Sequence, residues 1–203
     1  MDDLTQKAYN LIAKDWHADH QNDDWWIEGV NKFISLLRPG DAVLDVGCAG
    51  GWKMKYLTDK GLNVVGVDIS ESMITIAKET VPQAKFFVAD MRNLKDVPGQ
   101  FSGVFASAVL LHIPKKEISN VLKQVKSKLQ PKGYFYLAVK EVRPGNPEEE
   151  VVTENDYGYS YSRFFSYFAT DEIERYLKDA GMEIVYEDTA YSNKTRWIQV
   201  IAH

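Results

Sequence analysis

Cysteine is nearly absent: Cys48 stands alone in 203 residues. That excludes an internal disulfide. With only four scattered histidines, it also leaves no ligand spacing of a structural or catalytic metal site. Long apolar runs are missing too. The longest, residues 104–111, stops at His112, far short of the roughly 20 residues that cross a bilayer, so no membrane partner is expected. The opening MDDLTQKAYN has acids where a signal peptide needs basic residues and an apolar stretch, and the cytoplasm is the expected compartment. In that context the sequon-like Asn193-Lys194-Thr195 reads as chance. Basic residues are outnumbered, 24 Lys and Arg against 29 Asp and Glu for a net charge of -5. A nucleic-acid partner, which asks for a basic face, is therefore disfavoured.

What is present describes one globular domain, with 45% hydrophobic and 26% charged residues. Its middle alternates strand and helix. Residues 42–46 read as a buried strand, 51–60 as a helix closed by Gly61, and 63–67 as a second strand. Ser70 caps a helix that Pro82 ends, and strands follow at 85–89 and 103–108. Pro114 opens a helix with Ile118, Val121, Leu122, Val125 and Leu129 on one face and its lysines on the solvated side. Residues 130–133 form a turn before a fifth strand at 134–139. Thr170 caps the last helix, and two strands at 182–188 and 196–202 pair across a Ser192-Asn193 turn. Such alternation predicts an α/β, Rossmann-like doubly wound sheet with right-handed crossovers and helices on both faces. The segments divide as a helical leader (1–37), a cofactor-binding core (38–141), an insert (142–169) and a last helix with its strand pair (170–203).

Chemistry concentrates at the strand ends. Val43-Leu44-Asp45-Val46-Gly47-Cys48-Ala49-Gly50-Gly51 is a buried strand breaking into a glycine-rich turn and a helix, the form that holds an adenosine-bearing cofactor at the carboxyl edge of a parallel sheet. Gly47 lets a ligand approach the backbone, and Gly51 lets the helix start close to the strand. Asp45 decides which ligand. A diphosphate wants bare amides and is repelled by a carboxylate, whereas a ligand bearing an ammonium and a sulfonium welcomes one. The expected cofactor is S-adenosylmethionine (SAM). Asp68 closes the second strand, placed to accept from both ribose hydroxyls, and Asp90 closes the third, placed to accept from an adenine amino group between Met91 and Ile69. Each acid alone is an ordinary solvent-facing strand end; three in succession on one edge describe an adenosine site.

These segments resemble class I SAM-dependent methyltransferases, in the broad group of small bacterial enzymes acting on small molecules. VLDVGCAGG resembles the first motif of that family, VVGVDIS the second and FFVADMRNL the third; SAVLLHIP and LQPKGYFYLAV resemble the segments around strands four and five. One departure is Ala49 where the family usually has a glycine. The resemblance implies a seven-stranded sheet in the order 3-2-1-4-5-7-6 with strand 7 antiparallel, SAM as methyl donor, and a small acceptor methylated at oxygen, nitrogen or carbon. It places Asp45, Gly47, Cys48 and Gly51 around the methionine moiety, Asp68 and Ile69 at the ribose, and Asp90 and Met91 at the adenine. Met73 belongs to the same cofactor set, Ser107 lies beneath the sulfonium, and Tyr9 and Trp16 of the leader stand where aromatic residues touch the amino-acid tail.

For the acceptor, His112 is the candidate base or orienting residue, because it follows strand four. Glu141, Trp25, Tyr159, Tyr161 and Arg163 are candidate acceptor contacts, the last suited to a carboxylate or phosphate. The aromatic insert and the Trp25-Trp26 pair read as a lid. Three rivals remain: an RNA or protein methyltransferase, a SAM-binding protein without catalysis, and a nicotinamide-dependent dehydrogenase, which Asp45 and Ala49 place last.

Overall fold

The computed structural model describes residues 2–203; Met1, the first residue of the leader, lies outside them. Among the described residues, nine strands and six α-helices fall in the order α1 (Asp2–Asp19), α2 (Ile27–Ser35), β1 (Ala42–Val46), α3 (Trp52–Asp59), β2 (Asn63–Asp68), α4 (Glu71–Thr80), β3 (Lys85–Val88), β4 (Phe101–Ser107), α5 (Ile118–Lys128), β5 (Leu129–Lys140), β6 (Glu149–Glu154), β7 (Tyr161–Ser166), α6 (Thr170–Asp179), β8 (Ile184–Ser192) and β9 (Thr195–Ala202). The main sheet runs β3-β2-β1-β4-β5-β9-β8. β1 to β5 are parallel to one another, and β9 runs antiparallel to both β5 and β8. Counting only core strands, this is the expected 3-2-1-4-5-7-6 order with the last strand antiparallel.

Both faces of the sheet are buried because its strands are apolar on both sides. Leu44, Val46, Val104, Phe135 and Leu137 pack with Ile118, Val121 and Val125 of α5 and Ile173 and Leu177 of α6. On the opposite face Val43, Phe105, Tyr136 and Ile201 pack with Val30 and Phe33 of α2, Met54 and Leu57 of α3 and Ile74 of α4. The period-2 alternation puts Asp45 on the second face with Val43, and Lys140 there with Tyr136 and Ala138.

Ser70 caps α4 as expected, its hydroxyl accepting from the Met73 amide. Four local differences have physical causes. Residues 130–133 do turn, but the turn is a bulge inside β5: Leu129 pairs Phe101, and pairing resumes at Tyr134 opposite Gly103, with Lys132 at φ +65°. The chain after Pro114 begins as a short 3-10 turn over Lys115–Glu117 before α5. The hairpin β8–β9 runs further than expected, staying paired out to Ser192 and Thr195. Most of all, the insert has regular structure where the sequence reading assigns none. It holds β6 and β7, an antiparallel pair separate from the main sheet.

The leader is fastened to the core at the cofactor edge. Gln6 Nε2 donates to the Ile69 carbonyl at 2.8 Å, and Asn10 Oδ1 accepts from Ser70 Oγ at 2.7 Å and the Ser72 amide at 3.2 Å. On its other side α1 meets the insert: Ala8 and Ile12 pack with Tyr161, and Tyr157 and Tyr159 donate to Asp19 and Asp15.

Candidate active site

One crevice opens over the carboxyl ends of β1, β2, β4 and β5, between the sheet edge, α1 and the β6–β7 hairpin. Parallel strands leave their C-terminal ends at this edge, and the order of the strands reverses between β1 and β4, so ligand-binding groups gather where two loops part.

The turn after β1 is wound so tightly that it consumes its own donors. The amides of Gly47 and Cys48 both donate to the Val67 carbonyl, at 2.7 and 3.0 Å, and that of Gly51 to the Cys48 carbonyl at 3.0 Å. The Ala49 amide donates to Asp68 Oδ2 at 2.9 Å. These four are therefore not free for a diphosphate. Gly47 has φ +75°, and a Cβ there would lie 2.5 Å from Val109 Cγ2, so no side chain fits. Ala49 accepts φ +46°, which a non-glycine residue tolerates at modest cost.

Asp45 is 2% exposed, and no described group lies within hydrogen-bond or ion-pair distance of its carboxylate. Burial raises its pKa to about 7, against a lowering by the Lys53 charge and with a further push from Asp68. Asp68 is held by the amides of Ser70 (2.8 Å, to Oδ1) and Ala49. Burial lifts its pKa to about 6 in spite of those bonds. Asp90 differs. Burial acts upward on its pKa, but the Arg92 bonds and charge prevail and hold it below the ordinary value; Arg92 Nε donates to both carboxylate oxygens at 2.8 and 3.0 Å. Asp90 thus reaches the crevice already paired. Ile69, Met91, Cys48, Gly51 and Ser107 line the same crevice. Met73 does not; it is fully buried in α4.

Toward the cap, Tyr9, His112 and Arg163 form a chain of hydrogen bonds whose direction is fixed. His112 Nδ1 lies 2.7 Å from the Phe164 carbonyl, which only accepts, so Nδ1 carries the proton. Nε2 then accepts from the Tyr9 hydroxyl at 2.8 Å. Tyr9 in turn accepts from Arg163 Nη1 at 3.0 Å. Burial depresses the His112 pKa to about 3; the Phe164 bond opposes this, and the charges of Arg163 and Lys140 add to it. The imidazole is neutral throughout the working range. Arg163 is committed as well, gripping Glu154 through two bonds of 2.7 Å from Nε and Nη2.

The other expected acceptor contacts divide. Trp25 lines the crevice and stacks on Trp197 at 4.0 Å between centroids, and Trp16 lines it near His20. Glu141 is ion-paired to Arg196, Tyr159 is tied to Asp15 on α1, and Tyr161 packs in the α1–hairpin cluster; none of the three lines the crevice. Besides Arg92, two cations that the sequence did not single out line it. Lys53 lies over the rings of Trp25 and Trp26, and Lys140 over those of Phe165 and Trp197. The sequence did carry a signal for Lys140: it is the last residue of the fifth strand's apolar run.

Residues 17–187 match the family model of a methyltransferase domain. The chain is 32% identical over 169 residues to phosphoethanolamine N-methyltransferase 1 of Zea mays, which covers 79% of this chain and 32% of that protein. It is 29% identical over 169 residues to the ubiquinone biosynthesis O-methyltransferase of Dechloromonas aromatica, covering 77% and 70%. The chain thus spans about a third of the maize protein's length. Among solved structures, the 1,6-didemethyltoxoflavin-N1-methyltransferase of Burkholderia thailandensis, with bound 1,6-didemethyltoxoflavin and S-adenosylhomocysteine, superposes with a TM-score of 0.77 at 17% identity over 97% of this chain and 85% of that one.

Proposed function

Since the chain belongs to the methyltransferase-domain family, we propose that it moves a methyl group from SAM to a small organic acceptor, at oxygen, nitrogen or carbon, in the cytoplasm. One observation carries the cofactor assignment: a buried carboxylate, Asp45, with no donor or cation at hydrogen-bond or ion-pair distance, at the mouth of a loop in which the amides of Gly47, Cys48, Ala49 and Gly51 are already spent. Such a group asks for a cation and repels a diphosphate. The residues present fit SAM on that ground. Asp45 would hold the ammonium of its amino-acid tail, Asp68 the ribose hydroxyls, and Ile69 and Met91 the adenine faces beside Asp90. When bound, SAM supplies an electrophilic methyl group on a sulfonium.

The protein's part is to align the acceptor and exclude water. The leader and the β6–β7 hairpin act as the cap, which supports a small acceptor over RNA or protein. His112 is an orienting residue: its Nδ1–H stays on the Phe164 carbonyl, and its neutral Nε2 holds the Tyr9 hydroxyl, which Arg163 steadies from the other side. Burial keeps the imidazole uncharged and the phenol protonated, so this chain aligns groups at the crevice wall and carries no proton. Calorimetry with SAM, S-adenosylhomocysteine and NAD tests the assignment: the two sulfur nucleosides bind and NAD does not. Binding of NAD alone would overturn it.

A further inference from the structure

Lys140 ends β5 directly opposite Trp197 of β9, so both side chains leave the sheet on the same face. The Lys140 ammonium lies 4.4 Å from the centre of the Phe165 ring and 5.7 Å from that of Trp197. Among the described residues it has no carboxylate partner. The two nearby acids are taken, Glu154 by Arg163 and Glu141 by Arg196. Burial first, then the charges of Arg163 and Arg143, lower the Lys140 pKa to about 8, with Glu154 acting the other way. Independently, the indole N–H of Trp197 is buried with no acceptor, in a side chain 7% exposed that lines the same crevice. An ammonium over two aromatic faces is partly stabilised by the rings, but neither donor has the oxygen it is built to meet.

We propose that Lys140 and Trp197 form an anion seat in the acceptor half of the crevice, and that the methyl acceptor carries a carboxylate or a phosphate group there. This rests on reading the crevice as a methyl-transfer site. The rest of the acceptor lies against the Trp25–Trp197 stack and Phe165, which fits a flat or apolar body. Arg163, the residue whose type first pointed to such a group, is neutralised by Glu154; the fold gives the task to the lysine across from Trp197.

Benzoate and phenyl phosphate, with benzamide and benzylamine as neutral and cationic controls, are titrated into the protein with and without S-adenosylhomocysteine. Binding is followed by calorimetry and by the indole N–H resonance of Trp197. The anions bind and the controls do not; the tighter anion shows whether carboxylate or phosphate is the natural group. Lys140→Gln weakens anion binding about 10- to 100-fold, as expected for a hydrogen bond to a charged group. Lys140→Arg stays within a few-fold of the parent, and S-adenosylhomocysteine affinity is unchanged in both. Trp197→Phe keeps the stack and weakens the anion alone. Benzamide binding as tightly as benzoate, an indifferent Lys140→Gln, or an unmoved indole resonance would each refute the seat. Anion binding without nucleoside binding would instead strike only at the methyl-transfer reading.

Discussion

Replacing Asp45 by Asn should make the ligand-free protein more stable at neutral pH while removing its affinity for SAM. The carboxylate ordinarily titrates near 3.8 and here near 7, raised chiefly by burial. About three pKa units correspond to roughly 4 kcal/mol against the charged folded form. The sign follows from proton counts. Between about pH 4 and 7 the folded state binds the proton and the unfolded state does not, so stability falls as pH rises through that window. Below it both states are protonated and the charge costs nothing. Asn keeps the shape without the charge but leaves its own amide unpaired, so about 1–3 kcal/mol of the penalty is recovered. In a domain of this size that is a rise in Tm of roughly 3–10 °C at pH 8, shrinking toward zero at pH 4. Thermal or urea unfolding of both proteins at the two pH values, together with SAM calorimetry, makes the comparison. A variant less stable than the parent at pH 8, or an offset independent of pH, would refute the claim that Asp45 is a buried charge without an ion-pair partner.

Three further outcomes follow from the site. His112→Asn removes the hydrogen bond that holds Tyr9 and should lower turnover about 3- to 10-fold, with SAM affinity little changed; because the imidazole is already neutral, the parent's pH–rate profile should show no limb between pH 5.5 and 7 that the variant lacks. Glu154→Gln breaks the doubly bonded grip on Arg163; it should loosen the hairpin, destabilise by about 2–4 kcal/mol and raise the acceptor KM, read by urea unfolding and steady-state kinetics. Gly47→Ala drives a methyl into Val109 at a positive φ; a loss of about 1–3 kcal/mol and at least tenfold weaker SAM binding should appear in calorimetry.

Most of the sheet was legible because a strand buried on both faces has little choice of sequence: Val43–Val46, broken only by Asp45, stops at Gly47, Val64–Val67 stops at Asp68, and Val104–Ala106 stops at Ser107. The hairpin was not. Glu149-Glu150-Val151-Val152-Thr153-Glu154 alternates no polarity, since both faces of β6 are partly wet, and its partner lies beyond a turn of several residues. Val151-Val152-Thr153 and the Asn155-Asp156-Tyr157-Gly158 turn were the only local signs.

Asp45, Asp68 and the glycine turn are determined by the sequence itself, because strand, turn and strand are contiguous and the acid's place relative to Gly47 is a matter of chain spacing. Which side chains face the acceptor is not. Tyr9 meets His112 and Arg163 only when leader, core and hairpin close together, and Lys140 meets Trp197 only through antiparallel pairing of strands far apart in the chain. Charge state follows the same division. Whether an arginine is free or spent, and a histidine charged or neutral, depends on burial and on partners that long-range packing alone brings within a few ångströms.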